Sequence, residues 1–259
     1  MQKQENIVKV NYNIGKTNDK SSYKMALKVF VSMLLLVLVF VVFGTMLLFE
    51  NLLLAIIINL AFISLCAYFF MLEGIHEGNK QAGLSEITFK QMIKNKEERL
   101  DTGACFYKHK GFFAVLLGVL PLFLLCVVFA FLTEKQFTSL GTLPAWVENY
   151  MVQPELQASL AYYYAPQSIG FIHIYRLIVR TLNMPYIAMV SYLGTDAMLW
   201  VERLCPLLIW IIPSFYSIGY LRGPKSRVAI NKAIQRNVKR KQLLQQQKTK
   251  EVPEKKQLI

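Results

Sequence analysis

Residues 29–49 read VFVSMLLLVLVFVVFGTMLLF, and residues 52–72 read LLLAIIINLAFISLCAYFFML. Each run holds 21 residues. At about 1.5 Å per helical residue, each reaches roughly 30 Å, the thickness of a bilayer's hydrocarbon layer. Glu50 is the one formal charge between Lys28 and Glu73. Backbone in hydrocarbon must satisfy its own N–H and C=O groups, so the two runs are read as transmembrane helices joined at Glu50-Asn51. That hairpin makes lipid the solvent against which the rest of the chain is judged.

Composition points the same way. Of 259 residues, 54% are hydrophobic and 17% charged, against about a quarter charged in soluble domains. Two further apolar runs follow, Phe112 to Leu132 and about Ala197 to Leu221. The expected fold class is all-α: a multi-pass transmembrane helical bundle of about four spans, with amphipathic interfacial helices. Its divisions are a tail (1–28), the hairpin (29–72), a loop (73–110), a third transmembrane helix (111–132), an interfacial segment (133–196), a last transmembrane helix (197–221) and a basic tail (222–259). The segment before Val29 is long and polar, and the run after it exceeds a signal-peptide core, so this run is read as a retained anchor.

Charge sets the expected orientation. Residues 1–28 hold six Lys or Arg, residues 73–110 seven and residues 222–259 twelve, together 25 of the 29. Residues 133–170 hold only Lys135, against Glu134, Glu148 and Glu155. The excess of cations on cytoplasmic loops puts both termini and 73–110 inside and 133–170 outside, in an integral membrane protein of a bacterial plasma membrane. Ile169 to Leu193 is apolar enough for a fifth span, but a fifth crossing would carry the basic tail outside. It is expected to lie in the outer leaflet or fold re-entrantly. Tyr23, Tyr107, Tyr216 and Tyr220 are read as an inner aromatic belt, and Trp146, Tyr150, Tyr162 to Tyr164 and Trp200 as an outer one.

Polar groups inside the spans are few. Asn59 is read as a hydrogen bond between helices. In the loop, Ser85 fits an N-cap opening an exposed helix over Glu86 to Leu100. Glu73-x-x-His76 has the spacing of di-iron carboxylate sites, which need a second copy and more acids. With one copy and three histidines, it reads as a polar helix end, and no metal is expected. Cys66, Cys105, Cys126 and Cys205 form no CxxC pair and are read as small buried apolar residues. Pro121, Pro206 and Pro213 mark kinks. Trp146 to Met151 and Leu156 to Tyr164 are read as short interfacial helices.

The candidate site is His173, Arg176, Arg180 and Asn183, spaced 3, 4, 3, a single stripe on a helix. If the stripe faces the interface, its arginines meet water and phosphate. If it faces the bundle, they pair with Glu202, beside Arg203, or with Asp196, or they line an ion or ligand path. The second candidate is the tail, where Arg222, Lys225, Arg227, Lys232, Arg236, Lys239, Arg240 and Lys241 surround Ile230, Ile234 and Val238. An amphipathic helix starting beyond Pro224 is expected to lie on anionic inner-leaflet lipid, which gains roughly 1 kcal/mol per cation. Residues 242–259 are expected to be disordered.

No HExxH, GxSxG, Walker or GxGxxG motif occurs, and no cofactor is implied. No RNA-binding pattern accompanies the basic tail, so nucleic acid is not an expected partner. The reading favoured by elimination is a non-enzymatic accessory or scaffold subunit of a membrane complex, partnered by another membrane protein or by itself. A small transporter or channel using Arg176, Arg180 and Glu202 is the alternative, and a lipid-modifying enzyme using His173 a third.

Overall fold

The computed structural model describes residues 12–47, 49, 51–94, 102–133 and 171–251. Among them all regular structure is helical: α1 (Lys20–Phe43), α2 (Leu52–Lys94), α3 (Lys110–Leu132), α4 (Phe171–Leu182), α5 (Met184–Val190), α6 (Thr195–Leu208) and α7 (Ile211–Glu251). Short 3-10 turns follow α1 at Gly44–Leu47 and α5 at Ser191–Leu193. α1, α2, α3 and the α6–α7 stretch are long and apolar enough to cross a membrane. The chain is therefore an integral membrane protein built as a helical bundle of about four spans. The outer-segment helices expected before Ile169, with their aromatic residues, and the charge of Glu50 lie outside the described residues.

The described residues fall into two compact units. One comprises Tyr23–Phe70 and Phe112–Phe215. In it α2 starts with Asn51 as N-cap, its Oδ1 accepting from the backbone N–H of Leu53 at 3.0 Å and of Leu54 at 3.4 Å. Buried Asn59 donates from Nδ2 to the carbonyls of Leu47 at 3.0 Å and Ala55 at 2.8 Å, which ties α2 to the turn after α1. Phe40 and Phe62 pack across the hairpin at 5.9 Å between centroids. On α3, Gly118 lets the helix press on Ala26 and Val29 of α1.

The described part of the 169–193 segment, residues 171–193, does not form one straight helix. α4 is 12 residues and α5 is 7, about 18 and 10 Å at 1.5 Å per residue, each short of the roughly 30 Å needed to cross. Pro185 cannot donate a backbone hydrogen bond, and the chain turns at Asn183, whose carbonyl accepts from Tyr186 and Ile187. Proline also interrupts the last span. α6 ends at Leu208 and α7 begins at Ile211, because Pro213 offers no N–H to the Ile209 carbonyl.

The other unit lies within Met1–Ser22, Met71–Gly111 and Tyr216–Ile259. Asp19 caps α1, accepting from the Ser21 backbone N–H at 3.2 Å. Three expectations are corrected in this unit. First, Ser85 is not an N-cap. α2 runs unbroken through it, and its buried hydroxyl bonds back to the Gln81 carbonyl at 3.1 Å while accepting from the Phe106 N–H at 2.8 Å. Second, no separate helix starts beyond Pro224. α7 passes through Pro224 and stays helical to Glu251, so the described part of 242–259 is ordered as helix. Third, Tyr216 and Tyr220 are fully buried, so they are not an interfacial belt. The Tyr220 hydroxyl donates to Gln81 Oε1 at 2.7 Å, and its ring stacks on Phe106 at 4.9 Å.

The reason α2 and α7 continue lies in four glycines. Gly74 and Gly78 on α2 face Gly219 and Gly223 on α7. A Cβ on Gly74 would collide with the Tyr216 carbonyl, on Gly78 with the Tyr220 carbonyl, and on Gly219 with the Met71 carbonyl. Pro224 removes the N–H that would otherwise bond the Tyr220 carbonyl, the same carbonyl that faces Gly78. Each glycine costs about 1 kcal/mol of helix propensity against alanine, and close backbone contact at a small-xxx-small seam offsets it.

Candidate functional site

α4 is an inside-out amphipathic helix. Its apolar residues Phe171, Ile172, Ile174, Leu177 and Ile178 are exposed, while Arg176 is buried with Val179 and Leu182. In a soluble protein that arrangement would be unstable; against hydrocarbon it suits the exposed apolar side chains and the buried arginine, though not the exposed His173. The interface-facing reading of the arginine stripe is thus overturned for Arg176.

Glu202, on α6, is 3% exposed and receives the stripe. Arg180 Nε lies 2.6 Å from its Oε1, and Arg176 Nε 3.5 Å from its Oε2. The Thr133 hydroxyl, just past the end of α3, donates to Glu202 Oε2 at 2.6 Å and accepts from Arg176 Nη2 at 3.0 Å. The Arg176 guanidinium sits 6.0 Å from the centroid of the Phe129 ring, a further favourable contact for a desolvated cation. One carboxylate, two guanidiniums and a hydroxyl therefore join α3, α4 and α6. Lone charges in this setting would cost several kcal/mol each, and mutual pairing offsets most of that.

The other stripe members stand apart. Asn183 is 1% exposed and forms the corner between α4 and α5, its Nδ2 donating to the Val179 carbonyl at 3.1 Å and lying 4.0 Å from Cys126 Sγ. His173 and Arg203 are exposed. Arg203 neighbours Glu202 in sequence but points to the opposite side of burial, as a helix rotation of about 100° per residue requires.

The tail candidates divide similarly. Lys225, Lys232, Arg236, Lys239, Arg240 and Lys241 are exposed on α7. Arg222 is exposed and its Nη1 reaches Met71 Sδ at 3.5 Å. Arg227 is half-buried, 3.5 Å from Glu86 Oε2. Glu86 also holds Lys90 at 3.0 Å and accepts from Asn231 Nδ2 at 3.1 Å. Burial pushes the Glu86 carboxyl up, but the hydrogen bonds from Lys90 and Asn231 and the charges of Lys90 and Arg227 prevail and hold it below the usual carboxylate range. Ile230, Ile234 and Val238 are exposed.

Two further features carry weight, the first without a local sequence signal and the second with one. Lys110 is fully buried at the start of α3, donating from Nζ to the carbonyls of Gly103 at 2.6 Å and Cys105 at 3.5 Å. The glycine seam was legible, since Gly74/Gly78 and Gly219/Gly223 share the four-residue spacing of close-packed membrane helices.

These elements define the class of the molecule: an α-helical integral membrane protein of about four spans with an internal acid–arginine cluster. No family model matches the chain, and no characterised protein or solved structure does either.

Proposed function

We propose that this protein is a non-catalytic accessory or scaffold subunit of a membrane complex. The observation that carries the reading is the Glu202 cluster, in which the buried acid is held by Arg176, Arg180 and Thr133. Such a cluster braces three helices and presents hydrocarbon side chains outward. Native purification of the full chain in mild detergent, with identification of what travels with it, tests the role. A stoichiometric membrane-protein partner or a homo-oligomer supports it, and a protein always recovered alone as a monomer rejects it.

The topology proposed with it has both termini and 73–110 in the cytoplasm of a bacterial cell, following the distribution of Lys and Arg. In that orientation the exposed cations of α7 face anionic inner-leaflet lipid. A reporter fused after Ile259 decides the orientation, and an extracytoplasmic signal rejects it.

A transporter or channel is the second reading, favoured by buried charge in a membrane bundle. It requires Arg176→Ala or Arg180→Ala to abolish a flux while leaving abundance intact.

A further inference from the structure

A cleft of about 280 Å³ opens on the face of α2 beyond its apolar run, lined by residues from His76 to Ile87 of α2, among them Lys80 and Gly83, and by Arg227 of α7. We propose that it binds a phosphate group. No lining residue is acidic. Lys80 and His76 are exposed, and the Arg227 side chain is 33% exposed. The arginine lies against α2 at Gly83: a Cβ there would stand 3.5 Å from Arg227 Cζ and 3.6 Å from both Nε and one Nη, which is ordinary van der Waals contact. Planar guanidinium donors beside a lysine point charge are the pairing that suits a tetrahedral oxyanion. The acid nearest the arginine, Glu86, is shared with Lys90 and Asn231, so its charge is not committed to Arg227 alone.

Only the near end of the cleft reaches headgroup depth: His76 follows the end of the apolar run at Leu72 by four positions, about 6 Å along a helix, whereas Lys80 and Gly83 follow it by eight and eleven, about 12 and 16 Å. The phosphate is carried either by a lipid headgroup or by a soluble phosphorylated molecule, and the recognition chemistry is the same. This site stands independently of the scaffold role.

The test uses the full chain in detergent titrated with inorganic phosphate, and in phosphatidylcholine nanodiscs with or without phosphatidic acid, read by native mass spectrometry and by thermal shift. Binding of phosphatidic acid over phosphatidylcholine, unaffected by free phosphate, assigns a lipid source; saturable binding of inorganic phosphate assigns a soluble one. In either case Lys80→Gln, an exposed change, weakens binding about tenfold, the loss expected for one hydrogen bond to a charged group. Gly83→Leu fills the cleft with every charge retained and abolishes binding. The double variant Lys239→Gln/Lys241→Gln, remote along α7, leaves the binding of inorganic phosphate intact and leaves the Lys80 dependence of phosphatidic acid binding unchanged. No saturable binding of either probe overturns the proposal. So does wild-type binding by Lys80→Gln, or loss only when the α7 lysines are removed, which marks diffuse surface charge instead.

Discussion

Gly78 of α2 and Gly223 of α7 meet backbone to backbone: a Cβ on Gly223 would collide with the Cα and carbonyl carbon of Gly78. Nothing larger than hydrogen fits at that crossing. Gly78→Leu is expected to cost at least the roughly 1–3 kcal/mol of an overpacked core, seen as a lower melting temperature and reduced yield in detergent. Gly83→Ala, five residues on and in ordinary contact with Arg227, is a glycine control outside the seam and is expected to melt like the wild type. Equal melting of both variants contradicts the seam.

The Glu202 cluster makes a signed prediction. Glu202→Ala strands Arg176 and Arg180 without their carboxylate and is expected to cost about 3–5 kcal/mol. Replacing all three together, as Arg176→Met/Arg180→Met/Glu202→Leu, is expected to be neutral or to stabilise by about 1–4 kcal/mol, because none of these three charges is left to desolvate. Thermal melts of the single and triple variants measure this. A triple variant as damaged as Glu202→Ala means that the charges do more than brace the helices.

Glu86 supplies a pH dependence. Its folded-state carboxyl titrates below the unfolded reference of 4.5, so above that value the folded state carries the stabilising carboxylate in full. As pH falls from about 4.5 through the lowered folded value, the unfolded chain takes up the proton first and the contribution is lost. Melting wild type and Glu86→Gln from about pH 7 to about pH 3 is expected to show a gap that closes only at the acid end. A gap independent of pH rules out the ion pairs with Arg227 and Lys90 as its source.

Lys110 anchors the chain that leads into α3. Lys110→Met keeps the length and apolar stem of the side chain but leaves the Gly103 carbonyl without this donor, at a cost of about 1–3 kcal/mol. Hydrogen exchange at Cys105 and Phe106, whose segment pairs with Gly15 and Ser85, is expected to accelerate. Unchanged exchange there shows that the lysine is dispensable to the segment.

The spans were legible because hydrocarbon imposes a length and forbids charge over that length: 29–49 and 52–72 could hardly be anything else. The helix boundaries beyond the spans were not. Ser85 and Pro224 carry real local signals, a cap and a breaker, and both are overridden where tertiary contact supplies what the local rule lacks. Ser85 finds the Phe106 N–H inside an unbroken helix, and the Tyr220 carbonyl left free by Pro224 faces Gly78. The arginine stripe was legible as a stripe from its 3, 4, 3 spacing. Which way it faced depended on Glu202 and Thr133, 22 and 43 residues from the arginines they meet, and no local pattern encodes that.

The glycine seam also sets a problem of timing. Gly74 and Gly219 are 145 positions apart, so at about 5–20 residues per second the ribosome delivers the second glycine pair roughly 7–30 s after the first. Throughout that interval the small-residue groove on α2 has no α7 to cover it, and a chain stopped before Gly219 would carry that groove uncovered.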